Sequence, residues 1–326
     1  MIQTETDILA APDKWAVAIF SSREEPALLE RTLRAAVTAC RGHTAVLDLL
    51  VNGGNAPLAE AMAARGDGLA GEGVLLRIWH LPAPDKAATW NRYIHGIWPG
   101  GSVSFHIDGY AQVAADALQV MQRALAAEPE AWIASAVPSK GRSARAMREA
   151  LIRERGIHGN LFALRGAVVE SLRVTDFRLP IGIYRTDPTL AAAIKFHLDP
   201  ASNDWTPEAI VPVPDATWSY EALSWWKPGD LKAHFRRMVR QAQGEYESAA
   251  VRDHLAVRKQ PAGTLPRDSK ELVLDWVARH PEDAAALARR NRLCRTALRR
   301  LSERGPVPAL DLAPRLVRQL ALRAGG

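Results

Sequence analysis

The stretch FHIDGYAQV, residues 105–113, places one acid at the end of a run that reads as a buried strand. Asp108 closes that run, and Gly109 and Tyr110 follow it directly. A carboxylate in this position either caps the turn, since Asp-Gly is a common turn pair, or faces a ligand at the edge of a sheet. The residues alone leave both interpretations open.

A second acid stands at a predicted helix start in RTDPTLAAAIK, residues 185–195. Asp187 followed by Pro188 is typical of an N-cap with proline at the first helical position. The helix dipole lowers the pKa of a carboxylate there, which keeps it ionised and able to accept a hydrogen bond from a hydroxyl. A capping role and a chemical role are therefore compatible at Asp187.

Other polar residues follow further predicted strands. Lys86 lies at the start of a predicted helix and Arg92 lies within it, and either residue can contact a phosphate. Asn52 opens the turn NGGN, whose glycines let a ribose or a base approach the backbone closely. A plain loop is the alternative reading of that turn, and the segment SSREE, residues 21–25, carries no signal of its own.

An aromatic cluster occupies TWSYEALSWWKPGDLKAHFRRMVRQ, residues 217–241. Its members are Trp218, Tyr220, Trp225 and Trp226. Trp more often packs in a core or between subdomains, and the alternative is a surface on which the aromatic faces stack against the apolar faces of sugar rings. Basic residues follow on a predicted helix, where they either reach a phosphate or form a solvated face: His234, Arg236, Arg237 and Arg240.

Apolar runs alternate with helical patterns over the first part of the chain. The predicted strands are WAVAIF (15–20), AVLDLLV (45–51), VLLRIWHL (74–81), SVSFHID (102–108) and a further strand at 132–137. Helices between consecutive strands predict crossovers and a mainly parallel sheet covered on both faces. Ser22 is the predicted N-cap of the first of these helices, with Glu25 three residues on. Ligands are expected at the carboxyl ends of the strands.

Composition indicates a soluble protein of the cytoplasm. The chain has 326 residues, 48% of them hydrophobic and 24% charged, which is enough for a full core. Its sequence contains no apolar run long enough for a membrane-spanning helix, and its first ten residues lack the bases of a secretory leader. Cys40 and Cys294 are far apart and predict inert thiols rather than a disulfide framework or a zinc site.

The positive charge is concentrated in a predicted helical, Arg-rich tail that begins near residue 265. From Leu287 onward, ten arginines and two acids give a net charge of +8. Because the net charge of the whole chain is +6, the residues before Leu287 carry a net charge of −2. Such a tail either rests on an anionic inner-leaflet surface or packs on the body or on a second subunit. The nearly neutral body argues against a nucleic-acid binder.

Taken in order, these segments resemble family 2 glycosyltransferases, which have the GT-A fold and move a sugar from a nucleotide diphosphate donor. The resemblance spans roughly residues 15–246. The segment AIFSSREEPALLERTL resembles the family's first strand and loop, and LLVNGGN resembles the end of its second strand. The segment KAATWNRYI resembles its lysine-alanine-asparagine helix, and FHIDGYAQV resembles its Asp-X-Asp metal motif. HGNLFALRGAVVE and DFRLPIGIYRTDPTLA resemble the acceptor-side segment and the Glu-Asp pair.

The resemblance implies an α/β fold and a role for each candidate residue. Asp187 falls on the catalytic base, Asp108 on a ligand of Mn²⁺ or Mg²⁺, and Trp225 and Trp226 are the candidate acceptor-binding residues. The residues implied to bind the donor nucleotide are Ser21, Glu24, Asn52, Lys86 and Asp108. The implied domains are a GT-A domain at 1–250, with a donor half at 15–137 and an acceptor half at 138–250, and a basic extension at 251–326.

The implied activity is an inverting transfer to a glycan or lipid-linked acceptor in bacterial surface polysaccharide assembly, with a homo-oligomer as a further expectation. Three positions depart from the family pattern: Asn52, Tyr110 and Thr186 each stand where the family prefers an acid, and no Gln-X-X-Arg-Trp motif is present. A binding or scaffolding relative without activity is therefore the alternative. A nucleotidyltransferase fits less well, because SSREE is not a Gly-rich phosphate loop.

Overall fold

A computed structural model of the chain describes residues 4–141, 143–220, 228–305 and 313–321, without the side chains of 228–234. These residues form two compact units. The sheet unit comprises 4–141, 143–174, 207–220 and 313–321, and the helical unit comprises 175–206 and 228–305. The division at residue 250 that the sequence suggested stays a prediction.

Helices and strands alternate along the first part of the chain. The helices are α1 Glu5–Ala10, α2 Pro26–Ala39, α3 Ala56–Ala64, α4 Lys86–Arg92, α5 Ala117–Ala127, α6 Ala144–Glu154, α7 Gly166–Val174, α8 Thr186–Lys195, α9 Pro228–Arg252, α10 Ser269–Arg279, α11 Pro281–Arg290 and α12 Arg292–Ser302. The strands are β1 Trp15–Ser21, β2 Ala45–Asn52, β3 Val74–Leu81, β4 Val103–Asp108, β5 Gln112–Val113, β6 Ile133–Pro138, β7 Phe162–Arg165, β8 Ile210–Ser219 and β9 Arg315–Ala321. Short π-helical turns, Tyr93–Ile97 and Asp253–Val257, continue α4 and α9.

The described strands form one sheet in the order β5-β8-β6-β7-β4-β1-β2-β3-β9. β1 to β4, β6 and β8 point the same way, and β5, β7 and β9 run antiparallel to their neighbours. The predicted α/β fold with a mostly parallel sheet is confirmed. All five predicted strands are present, with ends that differ by no more than one residue.

Alternation along the strands gives the sheet two different faces. Trp15, Val17 and Ile19 of β1 lie in the main hydrophobic core, which α2, α3 and α5 cover. The residues between them face the other side, where the ring of Phe20 lies 6.1 Å from the ring of Tyr93 in the π-helical turn after α4. Helices thus cover both faces, which is why the central strands are buried throughout.

The helical unit is built around α9, which contacts α8, α10, α11 and α12. Cys294 of α12 donates a weak hydrogen bond from Sγ to the carbonyl oxygen of Ala242 of α9, at 3.7 Å. The predicted helical C-terminal extension is present, but its end was predicted wrongly. Arg315–Ala321 is a strand that pairs antiparallel with β3, because the sheet offers an unpaired edge that a local helical pattern does not reveal.

Two further predictions concern cysteines and membrane spans. Cys40 and Cys294 are free and buried, and burial raises the pKa of the first thiol to about 12 and of the second to about 11. Such thiols are unreactive, as the sequence predicted. Among the described residues, none of the helices combines the length and the apolar character that crossing a membrane would require.

Candidate functional site

The carboxyl ends of β1, β2 and β4 meet at one edge of the sheet and bring Ser21, Asn52 and Asp108 to it. The turn after β4 lies directly against the end of β1. The amide of Gly109 donates to the carbonyl oxygen of Phe20 at 2.8 Å, and a Cβ atom on Gly109 would lie 2.9 Å from the Cβ of Ser21. Only glycine fits this close approach, which positions Asp108 beside the first loop.

Asp108 is the centre of a polar cluster at this edge. Asp108 is buried, with 8% of its surface exposed. Lys86 donates from Nζ to Oδ1 at 2.6 Å, and the hydroxyl of Tyr110 donates to Oδ2 at 3.1 Å. The side chain thus bonds two other side chains instead of capping its turn. The structure brings Asp108 and Lys86 together, and their roles toward a metal and a donor stay predictions.

Helix α4 places Lys86 and anchors Asn52. Asp85 is the N-cap of α4 and accepts a hydrogen bond on its side chain from the amide of Ala88 at 2.8 Å. Lys86 is therefore the first helical residue, directly above the strand ends. Asn52 is buried and donates from Nδ2 to the hydroxyl of Thr89 at 3.0 Å. The ends of β2 and β4 are both tied to this one helix.

The loop SSREE folds on its own acid. Oε2 of Glu24 accepts from the hydroxyl of Ser21 at 2.7 Å, from the amide of Ser22 at 2.7 Å and from the amide of Arg23 at 3.0 Å. The N-cap of α2 is Glu25, so the prediction of Ser22 was wrong: Pro26 favours the first helical position, and the helix begins four residues after Ser22. The nucleotide-binding roles of Ser21 and Glu24 stay predictions.

Aromatic residues line the sheet edge on the other side of Asp108. The ring of Tyr110 lies 6.2 Å from that of Tyr220, edge to face, and Tyr220 lies 6.0 Å from Trp218. Trp218 is 1% exposed and belongs to the core, whereas Tyr220 is 38% exposed. Sequence reasoning had not separated the two. Trp225 and Trp226 lie outside the described residues.

The donor set suits a divalent cation at one position. Asp108 offers hard carboxylate oxygens, the ligands that Mn²⁺ and Mg²⁺ prefer. Across the described ranges, no group of three or more His, Cys, Asp or Glu side chains could hold a metal. His106, one step deeper on the strand, is buried and stacks on Phe162 at 4.6 Å. Asp108 therefore fits as a single protein ligand, with substrate oxygens and water needed for the rest.

Asp187 belongs to the helical unit. Helix α8 begins at Thr186 with Arg185 as its N-cap, so the prediction that Asp187 caps the helix was wrong. Asp187 lies in the first turn, partly exposed, and accepts a hydrogen bond from the hydroxyl of Thr186 at 2.9 Å. A carboxylate in the first helical turn is still stabilised in its ionised form by the helix dipole.

Sequence reasoning missed Glu247 of α9. This residue is fully buried, and its carboxylate accepts hydrogen bonds from the amides of Tyr184 and Arg185, just ahead of α8. Burial raises the pKa of Glu247. The sequence offers no signal that singles it out, because Glu245 stands two residues earlier in the same polar helical stretch.

The sequence matches no protein-family model, and no curated protein matches it significantly. Solved structures do match. One is a mannosyltransferase from Pyrobaculum calidifontis, in complex with GDP-mannose and Mn²⁺, at 18% identity and a TM-score of 0.54, covering 92% of this chain and 78% of that one. Another is glucosyl-3-phosphoglycerate synthase from Mycobacterium tuberculosis, at 14% identity and a TM-score of 0.48, covering 79% of this chain and 85% of that one. The chain therefore has the GT-A fold of nucleotide-sugar glycosyltransferases.

Proposed function

We propose that the protein is an inverting glycosyltransferase that moves a sugar from a nucleotide diphosphate donor to a hydroxyl of a glycan or lipid-linked acceptor. The observation that carries the proposal is the Lys86–Asp108 pair, 2.6 Å apart, at the strand ends of a GT-A sheet. In such sheets, ligands bind outside the carboxyl ends of the strands. A diphosphate needs positive charge at that point.

Breaking the sugar–diphosphate bond develops negative charge on the leaving group. The Lys86 ammonium, 39% exposed at its side chain, is the group of this chain that meets that charge. Mn²⁺ or Mg²⁺, held by Asp108, would supply further positive charge to the diphosphate oxygens. Such an ion is in keeping with the mannosyltransferase of the same fold, whose structure contains Mn²⁺.

The second requirement is a base that takes the proton from the acceptor hydroxyl. We assign that role to Asp187, whose position in the first turn of α8 favours the ionised carboxylate. A base that acts from the face opposite the leaving group gives a single displacement, which inverts the anomeric centre. Ser21, Glu24 and Asn52 are assigned to the nucleoside, and Trp225 and Trp226 to the acceptor.

The acceptor is proposed to be carried at the inner face of a bacterial membrane, in surface polysaccharide assembly, with the protein in the cytoplasm. Support comes from the pair α9 and α12, where exposed Phe235 and Met238 lie among arginines. The exposed arginines of these two helices are Arg236, Arg237, Arg240, Arg292, Arg295, Arg299 and Arg300. Co-sedimentation with phosphatidylglycerol vesicles but not with neutral ones is expected, and is expected to weaken in R299E/R300E.

A donor screen tests the main proposal. Melting temperature is measured with a panel of UDP-, GDP- and dTDP-sugars, each with Mn²⁺ and again with EDTA. One donor is expected to raise the melting temperature, because a ligand that binds the folded state stabilises it. Release of the nucleoside diphosphate from that donor then measures turnover. Absence of any shift and of any release across the panel would refute a transferase.

A scaffolding protein with the same fold is the second candidate. The observation that favours it is Tyr110, which stands at the second acid of the metal motif and bonds Asp108 at 3.1 Å. In that case a nucleotide sugar binds without being consumed, or does not bind. The same screen separates the two candidates, because only the enzyme releases a nucleoside diphosphate.

A further inference from the structure

The residues ahead of α8 are held by one buried carboxylate from another helix. Glu247 of α9 is 0% exposed. Its Oε1 and Oε2 lie 3.0 and 2.9 Å from the amide nitrogen of Tyr184, and Oε2 lies 3.1 Å from the amide nitrogen of Arg185. The side-chain amide of Gln243, one turn earlier on α9, donates to Oε1 at 2.6 Å. In each of these contacts the carboxylate accepts a hydrogen bond.

Helix α9 also makes room for the Arg185 side chain. A Cβ atom on Gly244 would lie 2.6 Å from Nε of Arg185 and 2.9 Å from its Cγ. The glycine therefore lets the arginine pass across the helix at a position where any other residue would displace it. Glu247 and Gly244 therefore both act on Arg185, the first through its backbone amide and the second through its side chain.

The other end of this loop is fixed by α10. The amide of Ile181 donates to the carbonyl oxygen of Arg267 at 2.8 Å, and the amide of Ser269 donates to the carbonyl oxygen of Ile181 at 3.0 Å. The segment from Ile181 to Arg185 is thus held at both ends within the helical unit. Asp187 is the second residue after it, so the direction in which α8 begins decides where that carboxylate points.

We propose that Glu247 is a positioning residue for Asp187: it fixes the backbone at Tyr184 and Arg185 and thereby orients the proposed base. The inference rests on the proposed function. Burying a carboxylate costs free energy that an apolar residue would not incur. A residue that holds the backbone beside a reacting group sets the orientation of that group, and a misplacement of about 1 Å can cost about 100-fold in rate.

The test uses the full-length chain and the isosteric variant Glu247→Gln. The control is Glu245→Gln on the same helix, whose acid accepts hydrogen bonds from Arg290 and Asn291 and acts on Arg185 through charge alone, without holding the loop backbone. Turnover is read as release of UDP from UDP-glucose or GDP from GDP-mannose, whichever binds, and donor affinity by titration. For Glu247→Gln, kcat is expected to fall about 10- to 100-fold with donor Kd unchanged, and for Glu245→Gln neither is expected to change.

A double-mutant cycle distinguishes positioning from general damage. On an Asp187→Asn background, Glu247→Gln is expected to cause no further loss of the residual turnover, because the group that it orients is already disabled. If adding Glu247→Gln to Asp187→Asn lowers kcat by a further factor, the inference is overturned. Gly244→Ala is the second variant, since it displaces Arg185 without touching Glu247, and the same fall in kcat is expected.

Amide hydrogen exchange of the segment 181–187 supplies a readout that does not depend on turnover. Exchange is expected to be faster in Glu247→Gln than in wild type or Glu245→Gln, and equal exchange would overturn the inference. An active wild type in which Glu247→Gln keeps full kcat refutes this inference alone. A wild type that releases no nucleotide refutes the proposed function and this inference with it.

Discussion

Asp108 illustrates how a carboxylate acquires its role from neighbours that are distant in sequence. Its two oxygens are engaged by Lys86, twenty-two positions earlier, and by Tyr110, two positions later. In the sheet, β1 and β2 lie between β3 and β4, so the first contact depends on the start of α4 reaching the end of β4. The type of residue suggested chemistry, but only the strand order brings an ammonium group to that acid.

Replacing Asp187 by Asn tests the assignment of the base. The change keeps the shape of the side chain but removes its ability to take a proton, so kcat is expected to fall about 100- to 10,000-fold. Donor affinity, measured by titration, should be unchanged, because the donor residues lie in the sheet unit. Turnover at the wild-type rate would remove Asp187 from the mechanism.

Replacing Asp108 by Ala tests the metal assignment. In wild type, Mn²⁺ is expected to increase the rise in melting temperature that the donor causes, and EDTA to cancel that increase. In Asp108→Ala, Mn²⁺ is expected to add nothing, because the variant lacks the only protein ligand that we assign to the ion. Asp116→Ala, which alters an exposed acid on the same connection, is the matched control. An Mn²⁺ effect that persists in Asp108→Ala would mean that other groups hold the ion.

At the level of helices and strands, the sequence predicted what local patterns encode. Central parallel strands are buried on both faces and appear as continuous apolar runs, so all five were found. The strand β8 reads IVPVPDATWS, and its two prolines are residues that central strands rarely contain, so its pattern is not that of a strand. Strands β5 and β7 have only two and four residues, too few to show a period.

Helix starts were the least predictable feature, because their partners come from elsewhere in the chain. Ser22 failed as a cap since α2 begins only at Pro26, with Glu25 before it. Asp187 failed as a cap since α8 begins one residue earlier, after amides that Glu247 of α9 holds. In the candidate site, likewise, the residue types at the strand ends were predictable from the sequence, but the contacts from Thr89, Tyr110 and Glu247 were not.

The turn between β4 and β5 depends on the absence of a side chain at Gly109. In Gly109→Ala, the new methyl group would meet the Cβ of Ser21 at 2.9 Å and the carbonyl oxygen of Phe20 at 3.0 Å. We expect the free energy of unfolding to fall by about 1–3 kcal/mol, measured by urea denaturation, and donor affinity to weaken. Gly305→Ala, with no atom within 4 Å of the added methyl, is the control and should change little. Equal stability of the two variants would contradict this reading of the turn.

At the scale of the whole chain, the sheet unit is completed by its last described strand. Residues 228–305 belong to the helical unit, yet 313–321 return to the sheet as β9. The strand pairs with β3 from Leu75 to His80. Part of the tail's positive charge stabilises this pairing, because Arg315 forms an ion pair with Glu60 at 2.5 Å and Arg318 forms one with Asp67 at 2.8 Å. A charge pattern read from the sequence predicted a basic tail but not these partners.

Removing β9 should therefore expose an edge. In a chain that ends at Gly305, β3 loses its antiparallel neighbour and presents unpaired N–H and C=O groups, which invite pairing with another copy. We expect a lower melting temperature and association that increases with concentration, measured by thermal denaturation and sedimentation velocity. The control is the full chain with Arg315→Ala and Arg318→Ala, which loses the two ion pairs but keeps the strand, and should sediment like wild type. If the shortened chain matches wild type in both measurements, β9 does not protect the edge, and the tail's contribution lies in its charge.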